Sequence, residues 1–125
     1  MQASRRAGTI IFVSNRSPEA PVAQDLETRG LVMHWAANIR EAVDLLNSAR
    51  ERTVIATELA LADGNWRDLV ERVRGIGIPT PVVLLTSSST AELWWDALEC
   101  GIDDILPWHL VVSRLCHLLG EQLAS

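Results

Sequence analysis

A chain of 125 residues fits one domain, long enough to bury a core and too short for two. Apolar residues make up 48% and charged residues 22%, which excludes the disordered regime of few apolar groups and high net charge. The net charge is -5 and every basic residue is an arginine, so the surface repels phosphate backbones and direct nucleic-acid binding is not expected.

Cys100 and Cys116 sit inside apolar helical patterns without CxxC or metal-ligand spacing, and read as reduced core residues of a cytosolic protein. The start MQASRRAG precedes an apolar run, Thr9 to Val13, too short for a signal-peptide core or a membrane span. A cytoplasmic chain without membrane contact is the expectation, with residues 1–8 as an N-terminal tail and 9–123 as a single domain. The Arg5 and Arg6 pair reads as part of that solvated tail.

The first strand is TIIFV, Thr9 to Val13, an unbroken apolar run of the kind a sheet covered on both faces requires. Ser17 can cap the next helix with Pro18 at its first position; Val22, Ala23 and Leu26 form its inward stripe, and Gly30 closes it. Leu31 to Trp35 makes the second strand. Asn38 can then cap a helix carrying Ile39, Ala42, Val43 and Leu46 at helical spacing.

Thr53 to Glu58 is the third strand, an apolar run that ends on a carboxylate, and ALADGN after it reads as a loop in which Asp63, Gly64 and Asn65 supply turn and capping chemistry. Trp66, Leu69, Val70 and Val73 mark a helix running to Gly75. PVVLLT is the fourth strand, ending at Thr86, and Ser87 to Thr90 offer capping hydroxyls for a helix through Glu99 that Gly101 terminates. Ile102 to Leu106 is the fifth strand. Pro107 and a helix with Val111, Leu115, Leu118 and Leu119 facing inward complete the pattern.

Strict alternation of strand and helix predicts an α/β fold: a three-layer α/β/α sandwich around a five-stranded parallel sheet of order 2-1-3-4-5. In such a sheet, chemistry collects where strands end and loops begin. The order brings Ser14, Asn15, Glu58, Thr86 and the residues after the fifth strand to one crevice.

These landmarks carry a resemblance. The run ALECGIDDILP from Ala97 to Pro107, the PVVLLT strand ending in a hydroxyl residue, the helix-closing Gly30 and the TEL of Thr57 to Leu59 resemble a response-regulator receiver domain of two-component signalling, flavodoxin-like in fold, from Thr9 to Leu119. Receivers of that family take a phosphoryl group on an Asp at the end of the third strand. An acidic pair after the first strand binds Mg²⁺, and a hydroxyl residue and a Lys follow the fourth and fifth strands.

Carried over by position, the resemblance makes Glu58 the phospho-acceptor equivalent, Ser14 and Asn15 the acidic-pair equivalent, Thr86 the retained hydroxyl and Trp108 the lysine equivalent. Mg²⁺ is usually held through carboxylates, and Ser14 and Asn15 offer only neutral oxygens. Losing two formal charges costs roughly 1 to 4 kcal/mol per charge pair, so Mg²⁺ binding is expected to be weak or absent and no cofactor is expected. No lysine remains to balance phosphoryl charge. Glu58 reaches about 1.5 Å further than Asp, and can act as a fixed negative charge directed at Thr86 or as a solvated strand-end carboxylate.

The aromatic position that the resemblance places on the fifth strand falls on Ile105. Asp103 and Asp104 read as solvated residues of the turn before it rather than metal ligands. Adjacent helix positions point about 100° apart, so at least one of Trp94 and Trp95 should reach the surface. With Ile105 they mark the face of fourth helix, fifth strand and fifth helix, which the resemblance implies for partners or dimers. Trp108 reads as packing filler, with a plug of the crevice left by the missing lysine as the alternative. His34, His109 and His117 share no metal spacing and no nucleophilic partner.

The expected function is that of a non-enzymatic pseudo-receiver: a signalling domain acting through a protein partner or its own dimer, independently of phosphorylation. The rival is a phosphorelay receiver with unusual acceptor chemistry at Glu58 or Asp63. A third reading is a small-ligand sensor using the crevice.

Overall fold

The computed structural model describes residues 8–15, 20–49, 52–88, 90–107, 110–111, 113–115 and 117–118. Outside the described residues lie the expected helix start at Ser17 and Pro18, the Arg5 and Arg6 pair, Trp108, His109, Cys116 and Leu119, together with the side chains of Val22 and Ala23.

The elements in chain order are β1 (Gly8–Val13), α1 (Ala20–Thr28), β2 (Leu31–Ala36), α2 (Ile39–Ser48), β3 (Thr53–Thr57), β4 (Ala60–Leu61), β5 (Gly64–Asn65), α3 (Trp66–Ile76), β6 (Val82–Leu85), α4 (Ala91–Cys100) and β7 (Asp104–Leu106), with further helical residues at 111, 113–115 and 117–118. The sheet has the order β2-β1-β3-β6-β7, all parallel, which is the predicted 2-1-3-4-5 once the short hairpin β4–β5 is set aside. β1 starts at Gly8, which pairs with Leu31, one residue before the expected start.

Alternate residues of the strands feed two apolar layers. Ile11, Val13, Ile55, Val82, Leu84 and Ile105 face α2, α3 and α4, while Ile10, Phe12, Val54, Ala56, Val83, Leu85 and Leu106 face α1 and the last helical residues, where Val111 and Leu115 are fully buried. This is why the strands read as continuous apolar runs: both faces are covered. Burying each large side chain contributes about 1.5–3 kcal/mol, so the central strands dominate the stability.

The caps follow the sequence with one shift. Asn38 accepts from Glu41 N at 2.8 Å at the start of α2, and Thr90 accepts from Leu93 N at 3.1 Å at the start of α4. Helix α3 runs through Gly75 and ends at Gly77, whose φ of 86° gives the left-handed turn. The expected stop at Gly75 is one glycine too early, because Ile76 still packs against the core.

The segment after Glu58 departs furthest from expectation. Instead of an open loop it folds back as the antiparallel hairpin β4–β5, pairing Ala60 with Asn65 and Leu61 with Gly64. Leu61 is buried by this return, which supplies the apolar contact that holds so short a hairpin.

Candidate functional site

The register fixes which residues meet at the carboxyl ends of the strands. Val13 pairs with Ala36 on one side and Thr57 on the other, Thr57 pairs with Leu84, and Leu84 with Ile105. Ser14 and Glu58 therefore leave the sheet side by side. The Glu58 amide donates to Val13 O at 3.0 Å, and the Ser14 amide to Ala36 O at 3.0 Å. Thr86 leaves β6 one residue further on, with its amide on Leu106 O at 2.9 Å.

The side chains differ in their surroundings. Ser14 is 1% exposed, Asn15 is exposed, and Glu58 and Thr86 are partly buried. Thr86 Oγ1 accepts from the Ser88 amide at 3.1 Å, so the hydroxyl helps fold the turn toward α4. The backbone around Glu58 is held on both sides: Thr57 Oγ1 donates to Glu58 O at 2.9 Å, and Trp66 N donates to Leu59 O at 3.0 Å across the hairpin base. Trp108 lies outside the described residues.

Trp35 is a member of this site that its own sequence position did not announce. Its indole Nε1 donates to Ser14 O at 3.0 Å, bringing a ring from the edge strand to the end of β1. The only signal available was its place at the end of an apolar strand, which does not specify a polar partner 21 residues earlier.

Asp63 performs capping, but for a different helix from the adjacent one. Its Oδ1 accepts from Ile39 N at 2.8 Å and its Oδ2 from Arg40 N at 3.3 Å, so the hairpin tip caps α2. The Ile39 amide, above all, holds the Asp63 carboxyl below its usual range, aided by the Arg40 amide and Arg72 against the opposing effect of desolvation. Helix α3 is capped by Asn65 in a reciprocal box: Asn65 Oδ1 accepts from Arg67 N and Asp68 N, and Asp68 Oδ2 accepts from Asn65 N.

At the opposite end of the sheet, where β6 and β7 begin, Asp103 and Asp104 are bonded rather than simply solvated. Asp103 Oδ2 accepts from Val82 N at 2.9 Å, and Asp104 Oδ2 accepts from Arg114 Nε at 3.0 Å and Nη2 at 2.8 Å. These bonds close the start of β7 onto β6 and onto the helical residues after it. Among the described residues no three His, Cys, Asp or Glu side chains converge as a metal site would require.

The tryptophan pair is exposed at both positions, Trp94 at 43% and Trp95 at 69%, with Leu98 beside them at 58%. Helix α4 buries only Ala97 fully, with Leu93 and Cys100 packed partly against the core, so Trp94, Trp95 and Leu98 leave an apolar stretch of its surface open. Ile105, assigned to the same face from the sequence, is instead 8% exposed and packs in the core layer with Leu84 and Ala97. The correction is one of pleat: Ile105 points to the layer beneath α4, and only its neighbours on the helices reach the surface.

No protein-family profile matches the chain. Over 89 residues, 70% of its length, it is 33% identical to the response regulator protein PilR of Pseudomonas aeruginosa, and it spans only 20% of that protein. Among solved structures it superposes on a CheY-like response regulator receiver domain from Methanospirillum hungatei with a TM-score of 0.78 at 16% identity, covering 96% of this chain and 98% of that one. A two-component response regulator from Clostridium difficile gives 0.77 at 21% identity, covering 94% and 98%. No helix among the described residues is long and apolar enough to cross a membrane.

Proposed function

We propose that this chain is a response-regulator receiver domain of the pseudo-receiver kind, one that signals by binding a protein partner or a second copy of itself, without phosphorylation; its 33% identity to part of PilR and its receiver-like fold support that reading. The observation that carries this reading is the state of the first strand's end. Where receivers place an acidic pair, this chain has Ser14, 1% exposed with its carbonyl engaged by the Trp35 indole, and the neutral Asn15. Among the described residues, a divalent cation there would face neutral oxygens beside one carboxylate, Glu58, in place of a cluster of carboxylates.

Phosphoryl transfer rests on charge neutralisation and positioning, and the chain carries no lysine to share that charge. Glu58 then serves as a standing negative charge at the crevice, and the exposed Trp94, Trp95 and Leu98 of α4 form the contact surface. The competing phosphorelay reading places the acceptor at Glu58 or Asp63. At Asp63 both carboxylate oxygens already accept backbone amides of α2, and phosphorylation would cost that cap.

Intact mass after incubation with acetyl phosphate and Mg²⁺ tests the proposal. An unchanged mass is expected; gain of one phosphoryl group overturns it, and repeating the reaction on Glu58→Gln and Asp63→Asn identifies the acceptor.

A further inference from the structure

The hairpin after Glu58 lies between the first turns of two helices. Of the amides that open α2, Ile39 N and Arg40 N go to Asp63, while Glu41 N goes to the helix's own cap, Asn38. A helix of this kind ordinarily satisfies its first donors from its own cap residue or water. Here two of them are satisfied by a side chain 24 and 23 residues later in the chain. The tip also packs tightly: a Cβ on Gly64 would lie 2.5 Å from Asp68 Oδ2 on α3 and 3.0 Å from Ile39 Cδ1 on α2.

We propose that Asp63 is a positioning residue that couples the segment carrying Glu58 to helix α2, holding both in one arrangement. The chain of contacts is continuous. Asp63 grips the start of α2, the hairpin returns from Asp63 through Gly64 and Asn65 to Trp66, and Trp66 N closes the base on Leu59 O, next to Glu58. Moving Glu58 away from the sheet end must open the hairpin or carry its tip along. Carrying the tip breaks two bonds to a carboxylate, which are stronger than neutral ones, and uncaps α2.

In a receiver driven by phosphorylation, this coupling would relay a change at the acceptor position to α2. In this chain it fixes the site. Calling the fixed state constitutive rests on the pseudo-receiver proposal; the coupling rests on the hydrogen bonds alone, so a phosphorylated parent would overturn the first and leave the second standing.

Amide hydrogen exchange, resolved by residue on the 125-residue chain, tests the coupling. In Asp63→Ala, exchange is expected to quicken by roughly 3- to 30-fold at Ile39 and Arg40 and also across residues 59–66, Trp66 included, while Ile55 in the core keeps its protection. Asn38→Ala removes only the helix's own cap and is expected to quicken exchange in the first turn of α2 alone. The proposal is overturned if Asp63→Ala matches Asn38→Ala and leaves 59–66 protected, or if the whole core quickens equally. Should Asp63→Ala fail to fold by circular dichroism, Asp63→Asn is read by the same criteria, since it keeps one acceptor oxygen and loses the charge and the second.

Discussion

The indole Nε1 of Trp35 donates to the carbonyl of Ser14 at 3.0 Å, tying edge strand β2 to the residue on which β1 ends. The ring is 41% exposed, so its burial alone does not account for its place, and the hydrogen bond is the specific part of the contact. Trp35→Phe keeps an aromatic ring and deletes the donor. It is expected to lower stability by about 1 kcal/mol in urea unfolding, the usual net worth of one hydrogen bond, without altering the slope of the transition. A neutral result would mean that water replaces the indole at Ser14 O without loss.

Trp94 and Trp95 lie on the exposed side of α4, and their removal should separate association from stability. Trp94→Ser with Trp95→Ser is expected to change the unfolding free energy by less than about 1 kcal/mol, the range of surface substitutions, and to lower the scattering mass if the parent self-associates. If the partner is a different protein, parent and variant share a monomeric mass and the loss appears in partner binding. A loss of several kcal/mol with no change in association would make the two rings structural instead.

What the sequence made legible follows from how far apart the interacting residues are. Runs such as Ile10 to Val13 and Val82 to Leu85 are apolar at every position because both faces are covered, and that signal is local; so are the caps at Asn38 and Thr90. Glu58 could be placed at the mouth of the site because it is the first carboxylate after such a run. The hairpin was not legible: two residues a side carry no alternating pattern, and its stability comes from Leu61 packing inward. Trp35 to Ser14 and Asp63 to Ile39 span 21 and 24 residues, and no local rule joins them. Ile105 was misplaced because three-residue β7 offers too short an alternation to decide which face it takes.

Asp63 gives the chain an acid-sensitive contact whose direction is fixed. Its carboxyl is held below the ordinary value of 3.8, chiefly by the Ile39 amide, so the ionised form is the one that the fold stabilises. Such a group stabilises fully above its unfolded pKa, and the contribution is lost as pH falls through the lower folded value. Asp63→Asn is therefore expected to be less stable than the parent by a constant margin from pH 7 down to about pH 5, with the margin shrinking below 3.8 as the parent's carboxylate takes up a proton. Melting curves of both proteins across that range check this; a margin that grows on acidification would contradict it.

Gly64 is the position where a single methyl group should be costliest for its size. Its φ is 154°, and a Cβ would meet Asp68 Oδ2 at 2.5 Å, an atom that accepts from Asn65 N in the capping box of α3. Relief requires Asp68 to swing away and give up that bond, or the hairpin tip to shift off Ile39. Gly30, with φ of 80° and nothing within 4 Å, isolates the backbone strain alone. Gly30→Ala is expected to cost about 1–2 kcal/mol and Gly64→Ala a further 1 kcal/mol or more, since it adds a lost cap to comparable strain. The clash with Asp68 can be read directly from a double-mutant cycle. If the carboxylate is the obstacle, Asp68→Ala costs less in the Gly64→Ala background than in the parent, with a coupling of about 0.5 kcal/mol or more; strict additivity in urea unfolding would assign the whole cost to the backbone.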